Sequence, residues 1–139
     1  MFNVEVNWLA IGVSGIAYMV LGFLWYGPLF GAPWMKLLGK TKKDIENEMK
    51  EGGMGKTYGA SFLTALVMAY VTNVLVVLLN VTDVASAVGL GVMLWLGYVA
   101  TSYASQVLYE NKKFKLYLIN VGYYLVTIVV AAVILTLWA

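Results

Sequence analysis

The chain has 139 residues, of which 62% are hydrophobic and 12% charged, with a net charge of +2; ordinary globular domains carry roughly 25% charged residues. It contains no cysteine, histidine or arginine, which excludes disulfides, thiolate metal sites, imidazole proton relays and bidentate guanidinium clamps. No charged residue falls between Glu5 and Lys36, Lys56 and Asp83, or Asp83 and Glu110, nor after Lys115, and each gap exceeds the roughly 20 residues that a bilayer-spanning helix needs.

This pattern predicts an all-α integral membrane protein: a four-helix bundle forming a single four-span domain over residues 1–139. The spans are expected at about 7–26, 58–80, 84–109 and 116–137, with a cytoplasmic connector at 27–57. A soluble bundle would show a polar stripe every turn or so, and none of the four runs does. The N-terminal stretch lacks the basic region of a cleavable signal peptide, carries Glu5 and leads into an apolar run too long for one.

In span one, Gly15, Tyr18, Gly22 and Trp25 fall on one helix face. Two glycines there let a neighbouring helix approach closely, so the face is expected to pack. The span should end at WYGPLFGAPWM, Trp25 to Met35, which holds the chain's two prolines, Pro28 and Pro33. Proline removes a donor and glycine permits positive φ, so a turn is expected here. Trp25, Tyr26 and Trp34 suit a membrane–water interface. Pro33 fits the first turn of a short interfacial helix carrying Trp34, Leu37 and Leu38. Thr41 and Asp44 have the spacing of an N-cap pair, which predicts an exposed helix over 42–51 with a narrow Ile45–Met49 seam, a Glu46–Lys50 pair and a stop at Gly52–Gly53.

Span two carries Ser61, Ala65, Ala69 and Asn73 at four-residue spacing, a small-residue ridge ending in an amide. Asp83 is placed to cap span three. Within span three, Ala85, Gly89, Met93, Gly97, Thr101 and Ser105 form a second ridge, and Gly22 and Gly97 are both expected on packing faces. A further cluster of Gly91, Tyr98, Ser102, Ser105 and Tyr109 lies to one side. Tyr117, Asn120, Tyr124 and Thr127 repeat along one face of span four. Leu21-Gly22-Phe23 and Leu96-Gly97-Tyr98 hint at a duplicated hairpin.

Six lysines lie in the connector after span one and three in the turn after span three; the other end has none. This nine-to-zero split places both lysine-bearing loops in the cytoplasm and both termini outside, in a bacterial plasma membrane. No span holds an ionisable carboxylate, lysine or histidine of the kind that marks a proton path. An enzyme is therefore not expected, and neither a catalytic residue, a metal nor a cofactor is assigned. The remaining chemistry is uncharged. Eight of the ten tyrosines fall toward the lysine-bearing side, joined by Asn73, Gln106 and Asn120. The candidate binding residues are Asn73, Tyr98, Ser102, Asn120 and Tyr124, around a polar pocket with Asn73 as its floor. The competing reading is that these groups only form interhelical hydrogen bonds and an aromatic belt, at about 0.6 kcal/mol per bond.

The order WYGPLFG, PWM, a charged helix and YGASFL at Tyr58 to Leu63, with Asn120-x-Gly122-Tyr123-Tyr124 in span four, resembles a family of small bacterial membrane proteins catalogued as domain of unknown function 1761. The resemblance implies four spans and supplies no activity, substrate or catalytic residue. Two functions follow as expectations. One is a small transporter or channel-like protein for an uncharged or weakly polar solute, working as a homo-oligomer. The other is a structural or accessory protein that binds a membrane partner through glycine-rich helix faces. A lipid-modifying enzyme is a third. Membrane lipid is the expected surrounding partner, and nucleic acid is not expected.

Overall fold

The computed structural model describes residues 3–138, and no strand occurs among them. The first helix, α1 (Trp8–Leu24), runs directly into a π-helical turn at Trp25–Leu29. Two short helices follow, α2 (Gly31–Leu38) and α3 (Lys42–Gly52), and then the long α4 (Met54–Leu78). The third long element begins as α5 (Val84–Leu94), passes through a second π segment at Trp95–Ala100 and ends in the short α6 (Thr101–Tyr103) and α7 (Ser105–Leu108). The last helix is α8 (Phe114–Leu137). Four stretches, Trp8–Leu29, Met54–Leu78, Val84–Leu108 and Phe114–Leu137, are long and apolar enough to cross a membrane.

Each start and stop has a local cause. Asn7 caps α1 by accepting from the Ala10 amide at 3.0 Å, and Asp83 caps α5 by accepting from Ser86. Thr41 and Asp44 form a reciprocal capping box at the head of α3, which satisfies two amides that a helix start otherwise leaves unpaired. Their mutual bonds also hold the Asp44 carboxyl below its ordinary range. Gly39 closes α2 at φ 70°, with Lys40 N–H donating to the Met35 carbonyl and Gly39 N–H to Lys36, the bond pair of a Schellman stop.

The turn expected at WYGPLFGAPWM is corrected: the chain stays helical through Leu29 and turns only at Phe30. Phe30 N–H donates to the Trp25 carbonyl at 2.8 Å, five residues back. The wider π turn lets the segment carry Pro28 inside it without the α-helical bond that proline lacks. The expected Glu46–Lys50 pair is also replaced: the ion pair found among the described residues joins Lys40 to Glu48 at 2.9 Å. The second long helix begins at Met54 instead of near Tyr58, directly after the positive-φ Gly53.

Helices α1, α4 and α8 pack on one another, whereas α5 packs chiefly on α8. The core holds Ala10, Ile11, Ala69, Val76 and Leu135. The ridge of span two is covered as expected at Ala65, Ala69 and Asn73. The ridge of span three is not. Gly89 and Gly97 face open space and Met93 is 70% exposed. The contact stripe instead carries Ala87 and Gly91, and a Cβ on Gly91 would lie 2.9 Å from the Val129 Cα. Two small-residue stripes run along this helix, and spacing alone does not say which one turns inward.

The two ends differ as the lysine distribution suggests. The 79–83 turn, the N-terminal tail and the end of α8 share one end, where the Asn7 side-chain amide donates to the Trp138 carbonyl at 3.0 Å. The α2–α3 connector and the 109–113 turn share the other.

Candidate functional site

At the lysine-bearing end, two tryptophans anchor the chain to α8. Trp25 donates its indole N–H to the Ile119 carbonyl at 2.8 Å, and Trp95 donates to Val121 at 2.7 Å. Gly122 makes the first contact possible, since a Cβ there would lie 3.1 Å from the Trp25 ring. Fixing Trp25 in this way aims the next residue, Tyr26, at α8, and its hydroxyl donates to Asn120 Oδ1 at 2.8 Å.

Tyr123 sits at the centre of the aromatic cluster. Its ring meets Tyr18 at 5.2 Å and Tyr26 at 5.4 Å, both edge-on, and Tyr124 at 5.3 Å. Its hydroxyl donates to the Tyr18 main-chain carbonyl at 2.7 Å. Gly22 leaves room for that approach, because a Cβ there would come within 3.0 Å of the hydroxyl. Tyr124 stacks on Tyr103 at 5.4 Å. Edge-on and offset rings are the favoured aromatic geometries, so the cluster is a preformed wall.

On the other side of that wall lies a cavity of about 520 Å³ between α1, the first π turn, α3 and α4. Tyr18, Tyr26 and Tyr123 form its inner side, Trp34 and Phe23 its flank, and Ile45 and Met49 of α3 its roof. A second cavity of about 460 Å³ adjoins it along α4, lined by Lys56, Thr57, Ser61, Thr64 and Tyr124. Tyr18, Thr57 and Ser61 belong to both, so the two form one groove. Among the described residues, no three acidic side chains come together as a metal site.

The five residues proposed from sequence do not meet. Asn73 is 4% exposed and lies at the opposite end, where its amide donates to the Glu5 carbonyl at 3.0 Å and its oxygen accepts from Asn7 N–H. It therefore ties down the N-terminal tail and is not the floor of the tyrosine site. Tyr98 is 74% exposed and Ser102 is exposed as well, both on the outer side of span three. Asn120 and Tyr124 do join the cluster, Asn120 through Tyr26 and Tyr124 through Tyr103 and Tyr123. Asn73 occupies the same face as the small-residue ridge, as its spacing predicts, but nearer the far end of α4 than a shared pocket requires. Tyr18, Tyr26, Trp34, Lys56, Ser61 and Tyr123 were missing from the predicted site. Two signals pointed to them: the Tyr18–Gly22 spacing, in which a glycine admits a facing ring, and the Ile45–Met49 seam on an otherwise polar helix.

Fold and site together define an all-helical protein with four membrane-length helices and a tyrosine-walled groove at one end. The chain belongs to the family described as Protein of unknown function (DUF1761), which matches residues 9–136. No curated protein and no solved structure matches it.

Proposed function

We propose that the protein is a multi-pass protein of a bacterial plasma membrane, with both termini extracytoplasmic, that takes a small, partly apolar molecule into the tyrosine-walled groove from the cytoplasmic side. The observation that carries this reading is the groove itself. Its two cavities fall in the size range of small-molecule sites, and their lining combines apolar rings with a few hydroxyls and one lysine. The nine lysines at this end supply the orientation. Toward the other end Ala10, Ile11, Ala69 and Leu135 pack together across the path. That favours a carrier which alternates over an open pore, and no step of bond-making chemistry is assigned.

The chain has no cysteine, so Ser61→Cys gives a unique thiol inside the groove. A membrane-impermeant maleimide should label it in inverted vesicles and leave it unmodified in right-side-out ones. Equal protection in both preparations would remove the aqueous groove, and labelling only from the outside would reverse the topology.

A second reading, an accessory protein working through a helix face, is favoured by one observation: the Gly89–Met93–Gly97 ridge of span three is uncovered. Its occupant on this reading is a second copy of the chain. Gly97→Leu should then shift the detergent-solubilised protein from dimer to monomer, and an unchanged oligomeric state would discard it.

A further inference from the structure

The two cavities of the groove differ in chemistry. No charged side chain lines the larger one, whose walls are rings, thioethers and aliphatic groups broken only by tyrosine, threonine and serine hydroxyls. The smaller one is lined along a single face of α4 by Lys56, Thr57, Ala60, Ser61 and Thr64, positions that share a face because they are one, four, five and eight residues apart. Ala60 and Gly52 keep the space between them open. Lys56 brings the one formal charge that either cavity has, and neither is lined by a carboxylate. Among the described residues the ion pair formed is Lys40–Glu48, which leaves the Lys56 ammonium outside any salt bridge.

Building on the reading of the groove as a binding site, we infer that its ligand is a single-chain amphiphile with an anionic head. The chain lies between Phe23, Trp34 and Met49. The head sits against Lys56, with the hydroxyls of Thr57 and Ser61 as further donors; the Thr64 hydroxyl already donates to the Ser61 carbonyl at 2.7 Å. The sign of the head follows from complementarity: an ammonium head would meet Lys56 with no carboxylate to offset it, whereas a carboxylate or phosphate gains a charge-assisted hydrogen bond. The aromatic wall alone would also suit an organic cation, and Lys56 is what decides against it. The single chain follows from size, since about 520 Å³ is the volume of a small-molecule site.

The test uses the full chain in nanodiscs of zwitterionic phosphatidylcholine, at about pH 8, above the ordinary carboxylate range. Decanoate, decanol and decyltrimethylammonium are titrated, with Trp34 fluorescence as the readout and Trp34→Phe as the blank. Decanoate should bind about tenfold more tightly than decanol, the scale of one hydrogen bond to a charged group. Lys56→Gln should erase that preference and Lys56→Arg should keep it. Because Lys56 is exposed, neither substitution disturbs the bundle, and an unchanged far-ultraviolet dichroism checks this. Decanol or decyltrimethylammonium binding as tightly as decanoate would overturn the anionic head, as would a preference that survives Lys56→Gln; in these cases the groove still binds amphiphiles. Displacement of decanoate by phosphatidylglycerol added to the disc would overturn the single chain in favour of a bilayer lipid. No Trp34 response to any of the three probes would overturn the groove as a site altogether.

Discussion

Spans one and three use the same device and reach different ends. Each is an α-helix that passes into π geometry at a tryptophan, and each tryptophan donates its indole N–H to a carbonyl of α8, two residues apart at Ile119 and Val121. Span one is also held on two sides. Gly15 lies against Phe62 and Leu66 of α4, and Gly22 lies under Tyr123 of α8. Span three leans on α8 along one stripe and leaves the opposite ridge open. In span one, the residue after the tryptophan is a tyrosine that completes the aromatic wall; in span three it is Leu96, 54% exposed. A shared backbone irregularity therefore reports a shared anchoring role and nothing about the site. What the anchor delivers depends on which side chain follows it and on how many neighbours surround the helix.

The sharpest way to break this comparison is Gly91→Leu. The nearest obstacle to a Cβ is the Val129 backbone at 2.9 Å, which cannot swing aside, so a loss of about 3 kcal/mol or a failure of span three to dock is expected. Thermal unfolding in detergent reads this out. Gly22→Leu should cost less, about 1–3 kcal/mol, because it displaces the Tyr123 hydroxyl from the Tyr18 carbonyl and not a main chain. Trp25→Phe and Trp95→Phe should each cost about 1 kcal/mol, the worth of one hydrogen bond. Only Trp25→Phe should alter the near-ultraviolet dichroism of the tyrosine cluster, and equal spectral changes in both would show that the two anchors serve the same site. Gly97→Leu should leave monomer stability within about 0.5 kcal/mol, since nothing lies within 4 Å of its Cβ position.

The smallest effect concerns the lysine-bearing end, where the connector after span one is a capped helix and the connector after span three is a turn. The bonds with Thr41 lower the Asp44 carboxyl from its reference value of 3.8. A lowered folded-state value means that the cap is fully present above that reference and is lost as pH falls through the lower one. The α3 contribution to far-ultraviolet dichroism should therefore persist to about pH 4 and fade only in stronger acid, and Asp44→Asn should flatten that fading.

Much of the fold was legible because charge-free runs and lysine-bearing loops report length and end directly. The four long helices, the capped α3 and the buried Ala65–Ala69–Asn73 ridge all follow from local spacing. The π segments were not legible. WYGPL holds a proline and a glycine, which ordinarily end a helix, and the tertiary bond from Trp25 to Ile119 favours the other outcome. The hinted repeat was also misaligned: Leu21-Gly22-Phe23 does not correspond to Leu96-Gly97-Tyr98, whereas Trp25 and Trp95, with Gly27 and Gly97 two residues on, do. The π turn in span three shifts the helix phase, so positions spaced at 3.6 before Trp95 no longer share a face after it. Tyr98 and Ser102 were placed by that unbroken period and therefore came out on the wrong side. Asn73 was assigned by chemistry alone, and nothing in its neighbours along the chain indicates that the Glu5 carbonyl would claim it.

The roof of the groove is α3, and no residue of that helix is buried. It is joined at both ends through positive-φ glycines, Gly39 at 70° and Gly53 at 83°, and it meets the rest of the chain mainly along α4. Amide protons on such an element exchange with solvent through small local openings, while those of α4 and α8 wait for global unfolding. Exchange over Lys42–Gly52 should thus be orders of magnitude faster than over Ala65–Val76. On the reading of the groove as a binding site, an occupant would enter and leave on the clock of one short helix, with the three-helix core of α1, α4 and α8 left intact.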